Sequence, residues 1–340
     1  MLSRVADSIY WMSRYVERAE NVARFVDVNL NMALDLGPDM ARQWAPVVYT
    51  TGDHQPFEER YGVATQASVV EFLTFDEKNP NSILSCLKGA RENARAVREI
   101  LSSQMWEELN KFYLYVRQAS RASQTILDSP FEFFDQIKQF GFVLEGATEA
   151  TMSHNEAWHF RRLARMIERA DKTSRILDVK YYLLLPDPHD VGTPLDHNQW
   201  AALLKSVSAL EMYRQAYGRI TPKKMIEYLV LDREFPRSIR FCLIRAEQSL
   251  LAITGGTPGT FRNRAEQRLG RMRSELDYTN VDEIIEQGLH EFIDELQKGL
   301  NRAGQAINDT FFAAEPTADT LSPNERAAGE RPAVSHHATA

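Results

Sequence analysis

Two runs of interleaved charge are the residues of this sequence best suited to chemistry: Arg14, Glu17, Arg18 and Arg24, and then Arg165, Glu168, Arg169 and Arg175. At about 100° per residue each run, with Asn21 or Lys172 included, falls within about 120° of one helical face. A carboxylate set among cations can serve as a general base, and the planar fork of arginine can hold a carboxylate or a phosphate. Glu17 and Glu168 are therefore the candidate catalytic groups, and Arg14, Arg18, Arg24, Arg165, Arg169 and Arg175 the candidate ligand-binding groups. If the two helices lie side by side, Glu17 would meet Arg165 or Arg169, and Glu168 would meet Arg14 or Arg18. The same stripe also fits a buried ion network without a ligand, or a solvated face whose pairs contribute only about 0.2–0.5 kcal/mol each. Tyr10, Trp11 and Phe25 share the first charged face, and Trp158 and Ile176 the second. Large apolar side chains there favour a covered face over a wet one.

The elements that carry these runs repeat within the chain. Residues 14 to 28 match 165 to 179 at Arg14/Arg165, Glu17/Glu168, Arg18/Arg169, Ala19/Ala170, Arg24/Arg175 and Asp27/Asp178. A second block, 71 to 97, matches 227 to 253 through Asp76/Asp232, Pro80/Pro236, Ser82/Ser238, Cys86/Cys242 and Ala90/Ala246. Two collinear blocks predict an internal duplication, with halves at about 1–150 and 151–313 related by a pseudo-two-fold axis. Glu92, Asn93 and Arg95 stand opposite Gln248, Ser249 and Leu251, so only the first half keeps the charged set. With Trp106 and Asn110 they could line a polar cleft, or simply form an exposed helix face.

Apolar spacing of three and four predicts helices throughout and no strands, an all-α helical bundle. The first long helix runs from Ser3 to Leu36, before Gly37-Pro38. A short helix is expected around Met40 to Trp44 in an otherwise irregular stretch 38–64. Helices follow at 66–76, 81–101, 105–127 and 131–150, the last opened by a capping box at Ser129 to Glu132 and broken at Gly141. Another capping box, Ser153 to Glu156, opens the second long helix, which runs to about Leu185. Beyond a loop at 186–197, helices are expected at 198–217, 223–232, 237–254, 261–278 and 281–312, with Gly255-Gly256 a stop and Asn280 a cap. From Ala314 the chain turns polar and Pro-rich without periodicity, which reads as a disordered tail that includes His336-His337.

Composition narrows the function. The 340 residues carry a net charge of −7, unlike a general nucleic-acid binder. Charged residues near the start break any signal-peptide pattern, no stretch reaches membrane-spanning length, and the cytoplasm is the expected setting. Cys86 and Cys242 sit at matched apolar positions and read as core residues rather than a bridge. Glu156-Ala157-Trp158-His159 has one Glu-x-x-His spacing of a di-metal bundle, but no second copy follows and Ser8 stands opposite His159, so no metal is assigned. No glycine loop for phosphates is present, and no cofactor is assigned.

Several separated motifs carry a resemblance: Tyr10-Trp11 with Arg14 to Glu20, the stretch from Arg91 to Trp106, Ile167 to Asp171, and Phe235-Pro236-Arg237-Ser238. Over about residues 1 to 313 the chain resembles the alpha-E family, bacterial helical proteins named for a Glu-Arg motif. That resemblance implies company more than chemistry. Members are encoded beside, or fused to, circularly permuted ATP-grasp proteins, often with a transglutaminase-like peptidase nearby, and ATP-grasp enzymes join a carboxylate to an amine through an acyl phosphate. The implied role is an accessory or substrate-presenting protein in a peptide- or amide-forming system. An acyl-transfer enzyme in its own right, or a non-catalytic scaffold able to form a homo-oligomer, remain the alternatives.

Overall fold

A computed structural model describes residues 1–36, 44–183 and 194–313 of the chain. Among these residues every regular element is helical. In order they are α1 (Ser3–Leu36), α2 (Ala45–Thr51), α3 (His54–Tyr61), α4 (Gln66–Thr74), α5 (Ile83–Ala96), α6 (Ser103–Ala119), α7 (Ser123–Asp128) and α8 (Pro130–Thr151). Then follow α9 (Glu156–Leu183), α10 (Pro194–Ser206), α11 (Leu210–Tyr217), α12 (Pro222–Ile226), α13 (Ile239–Thr254), α14 (Arg264–Tyr278), α15 (Val281–Gln287) and α16 (Leu289–Phe311).

The long helices α1 and α9 pack together at the centre, with α5 laid along α1 and α13 along α9. They run in the same direction. Ile9 and Met12 share a core cluster with Ala157 and Phe160 near their starts, and Phe25 and Ile176 wall one small cavity farther along. Around this centre α8 covers α1, α6 bridges α5 and α8, and α14 and α16 cover α13 and α9. The outer helix α16 shows why: Leu289, Ile293, Leu296, Leu300, Ala303 and Ile307 recur at spacings of three and four and are all buried, leaving its charged face to water. No helix among the described residues is long and apolar enough to cross a membrane.

Local chemistry moves several predicted boundaries. The stretch 38–64 holds α2 and α3, with Trp44 at the N-cap of α2; Met40 to Gln43 lie outside the described residues, as do the loop at 186–193 and the tail from 314. Ser129 makes no capping hydrogen bond, and Pro130 alone, with its preset φ, opens α8. The cap of α9 is Asn155 rather than Ser153: its Oδ1 accepts from the Ala157 and Trp158 amides. The Asn280–Glu283 box does form, but the helix it starts ends at Gly288, whose φ of 97° suits glycine and separates α15 from α16. Predicted 198–217 is likewise two helices, parted at Ser208 with φ 52°. The expected helix 105–127 is α6 and α7 joined by a 3-10 turn, the expected 223–232 is α12 followed by a π turn at Glu227–Leu231, and α5 stops at Ala96, short of 101.

Gly141 does not break α8. A Cβ there would lie 2.8 Å from Glu20 Oε2, so the glycine admits a carboxylate of α1 against the helix backbone.

Candidate functional site

The charged faces of α1 and α9 meet inside the bundle. Glu17 is 2% exposed and Glu168 0%, which removes the solvated-face reading. Each carboxylate is held by arginines of the other helix. Arg169 donates to Glu17 through Nε at 2.7 Å and Nη2 at 2.8 Å, and Arg165 Nε stands 3.5 Å away. Reciprocally, Arg18 donates to Glu168 through Nε at 2.7 Å and Nη2 at 3.1 Å, and Arg14 through Nε at 2.6 Å. Such two-point guanidinium–carboxylate contacts fix orientation as well as charge. Each half of this clasp has its own local supports. Asn21 donates to Glu17 at 2.9 Å, Lys172 lies 3.6 Å from Glu168, Arg24 is bound to Glu20, and Arg175 to Asp171.

Burial alone would push the Glu17 carboxyl up, but Arg169, Arg237 and Arg165 hold it well below the usual carboxylate range. At Glu168, too, burial works upward and is outweighed by Arg18, Arg14 and Lys172. A general base works best with a pKa near the operating pH and a free lone pair. Both glutamates are held toward the ionised form and already accept several hydrogen bonds, surroundings that favour an ion clasp over the general-base role expected of them. The buried Cys86 and Cys242 thiols are pushed up to about 12 by burial, which makes them poor nucleophiles.

The two sides of the clasp differ in what comes next to them. On the Glu168 side, Arg18 Nη1 donates to Asn81 Oδ1 at 2.6 Å, and Asn81 in turn donates to Asp53 at 2.7 Å. On the Glu17 side the residue between proline and the capping serine is Arg237, whose Nη1 reaches Asn21 at 3.0 Å and Glu17 at 3.3 Å and whose Nη2 reaches Glu20 at 2.7 Å. A cavity of about 300 Å³ opens beside it, between α1, α6, α8 and α9. Among the described residues, the charged groups lining it are Arg161, Arg165, Arg169 and Arg237 against Glu17, Glu20 and Glu145. Four cations thus face three carboxylates. Burial, and then the neighbouring Arg169, lower Arg165 to about 9 and Arg237 to about 10, with Arg24 a further cause at Arg237. Burial likewise brings Arg161 to about 10, although Glu149 works against it.

Two of the predicted arginines line this cavity and one lies next to it. Arg165 and Arg169 line the cavity; Arg24 sits behind it, over the Phe142 ring; Arg14, Arg18 and Arg175 belong to the Glu168 side. Glu92 and Arg95 do not join them. They pair with each other on the outer face of α5, 52% and 69% exposed, and Asn93 bonds back to the Gly89 carbonyl. Trp106 and Asn110 stay on that outer side too, serving Arg91 through its ring face and through a 2.8 Å hydrogen bond. The expected polar cleft of α5 is therefore a surface patch. Sequence reasoning missed Arg161, Arg237, Glu20 and Glu145. Arg237 alone carried a readable signal, a charged residue wedged between Pro236 and the helix cap Ser238. Glu156 and His159 belong to no group of three metal-ligating side chains among the described residues.

A family profile described as "a predicted alpha-helical domain with a conserved ER motif" matches residues 1–312. This chain belongs to the Alpha-E family. In it, the glutamate of Glu17-Arg18 is bound by the arginine of Glu168-Arg169, and the reverse. Uncharacterised proteins of Mycobacterium bovis and Mycobacterium tuberculosis are 23% identical over 332 residues, 92% of this chain. The Alpha-E chain spans about a third of the length of these curated relatives, 37%. No solved structure matches it.

Proposed function

We propose that this Alpha-E domain is the substrate-presenting partner of an ATP-grasp-type ligase in a peptide- or amide-forming system. The observation that carries the reading is the charge imbalance of the cavity beside Glu17, where four buried or half-buried arginines face three carboxylates. A shaped pocket whose buried guanidinium groups outnumber the carboxylates by one is suited to hold an anion, and a ligase of this class consumes a carboxylate. The greater part of each mycobacterial relative lies outside the match, room for a further domain of the kind the family resemblance implies. A transglutaminase-like peptidase of the same system is a second candidate partner. The reciprocal clasp also supports a finer view of the fold: two copies of one helical unit, joined head to tail and related by a pseudo-two-fold axis between α1 and α9.

The reading is tested by mixing the purified chain with a circularly permuted ATP-grasp protein from the same genome. A complex at micromolar concentration, and an amine- and carboxylate-dependent ATP turnover that needs the chain, are expected. No association and no change in turnover would end the proposal. An independent acyl-transfer activity is less well supported, because both clasp glutamates are engaged by arginines that hold their carboxyls below the usual range.

A further inference from the structure

The cavity beside Glu17 has features that narrow what it holds. Arg161 is 5% exposed and gives both terminal nitrogens to Glu145 and Glu149, yet its Nε is buried with no hydrogen-bond partner among the described residues. Arg165 touches Glu145 through Nη1 and is 3.5 Å from Glu17 through Nε. A buried donor left without an acceptor is costly. Ser208, on the same wall, has φ 52° and is the one non-glycine among the described residues with positive φ. Strained backbone of this kind clusters at ligand sites. Beside Ser13 and Thr148 the wall is largely apolar: Met12, Leu109 and Leu144 are buried in it, and Phe142, also lining it, is 55% exposed.

We infer that this cavity binds a carboxylate monoanion borne on a small apolar or aromatic body, with the charge at Arg161 and Arg165 and the body against Met12, Leu109 and Phe142. The inference rests on the substrate-presenting reading and adds the ligand class. One charge follows from the imbalance, since the lining residues carry one cation more than anions, and adding Arg24 on Glu20 and Glu149 on Arg161 leaves the difference at one. A dianionic phosphate would overshoot that balance, and a neutral molecule would leave it. The largely apolar wall and exposed Phe142 ring call for more than a bare anion.

Calorimetry on the full chain without any ligase separates this from the partner proposal. The probes are 3-phenylpropionate, acetate, 3-phenylpropan-1-ol and phenyl phosphate, at constant ionic strength. We expect 3-phenylpropionate to bind at least about tenfold more tightly than each of the others. Arg165→Gln should abolish that preference over the alcohol, and Phe142→Ala, at an exposed position, should reduce the preference over acetate with the fold intact. Tighter binding of phenyl phosphate, equal binding of the alcohol, no binding by any probe, or binding untouched by Phe142→Ala would each overturn the inference. Failure here together with a stable ligase complex would leave the partner proposal standing.

Discussion

Replacing Glu168 by glutamine tests the clasp where it is most enclosed. The side chain is 0% exposed and accepts three hydrogen bonds from Arg14 and Arg18, with Lys172 nearby. Glutamine keeps the shape but withdraws the charge, leaving three cations beside a neutral amide that must also turn its own NH₂ toward donors. Breaking a buried pair from one side costs about 3–5 kcal/mol, against about 0–1 kcal/mol for an exposed one. Urea unfolding followed by helical circular dichroism should therefore show a midpoint lowered by the equivalent of about 3–5 kcal/mol at pH 7. The pH profile adds a second readout. Because the folded-state carboxyl is depressed, the unfolded chain takes up its proton first, near the ordinary 4.5; the stabilisation is complete above that value and is lost as pH falls below it toward the folded-state value. Glu168→Gln should flatten the acid limb of the stability curve in that window. A loss under about 1 kcal/mol with an unchanged acid limb would refute the clasp as a structural element.

Gly141→Ala should destabilise by about 1–3 kcal/mol despite the better helix propensity of alanine, because the new methyl would displace a Glu20 carboxylate pinned by Arg24 and Arg237; thermal melts read it directly. Arg95→Ala should change stability by less than about 0.5 kcal/mol and leave probe binding intact, as an exposed i,i+3 pair allows. Cys86 and Cys242 should resist a thiol reagent in the native protein at pH 8 and react fully in urea. Arg237→Asn should abolish carboxylate binding while costing less stability than Glu168→Gln, since Glu17 keeps its two-point contact with Arg169 and Glu20 keeps Arg24.

How far these features could be read from the sequence depends on the range of the interaction behind each. The extent of α1 follows from local periodicity and the Gly37-Pro38 stop, and its bounds match the expected Ser3 to Leu36. Gly288 escaped notice because the apolar spacing continues on both sides of it, and periodicity does not report a change of φ. Gly141 misled for the opposite reason: a glycine that reads as a helix breaker is there to admit a side chain more than a hundred residues away in sequence. The charged stripe was visible as a pattern, and the cross-pairing of Glu17 and Glu168 followed once α1 and α9 were set side by side. Which polar residues would join them was not visible. Glu92 and Arg95 have the right chemistry on the wrong side of α5, whereas Arg161 and Glu145 reach the cavity from helices whose rotation only the packed bundle determines.

The difference between Asn81 and Arg237 gives the two sides of the clasp different tasks. A buried ion pair whose charges cancel is weak evidence of stability, because desolvation consumes most of the Coulomb gain. On the Glu168 side the neighbour is a neutral amide that relays Arg18 to Asp53. On the Glu17 side the corresponding place is taken by a third guanidinium directed at Glu17 and Glu20, and its own charged state is disfavoured by burial and by Arg169. An amide in that place would leave Glu17 to Arg169 and Arg165, and Glu20 to Arg24. The carboxylate proposed for the cavity would add a further anion beside this third guanidinium, whose place on the Glu168 side is held by the amide of Asn81.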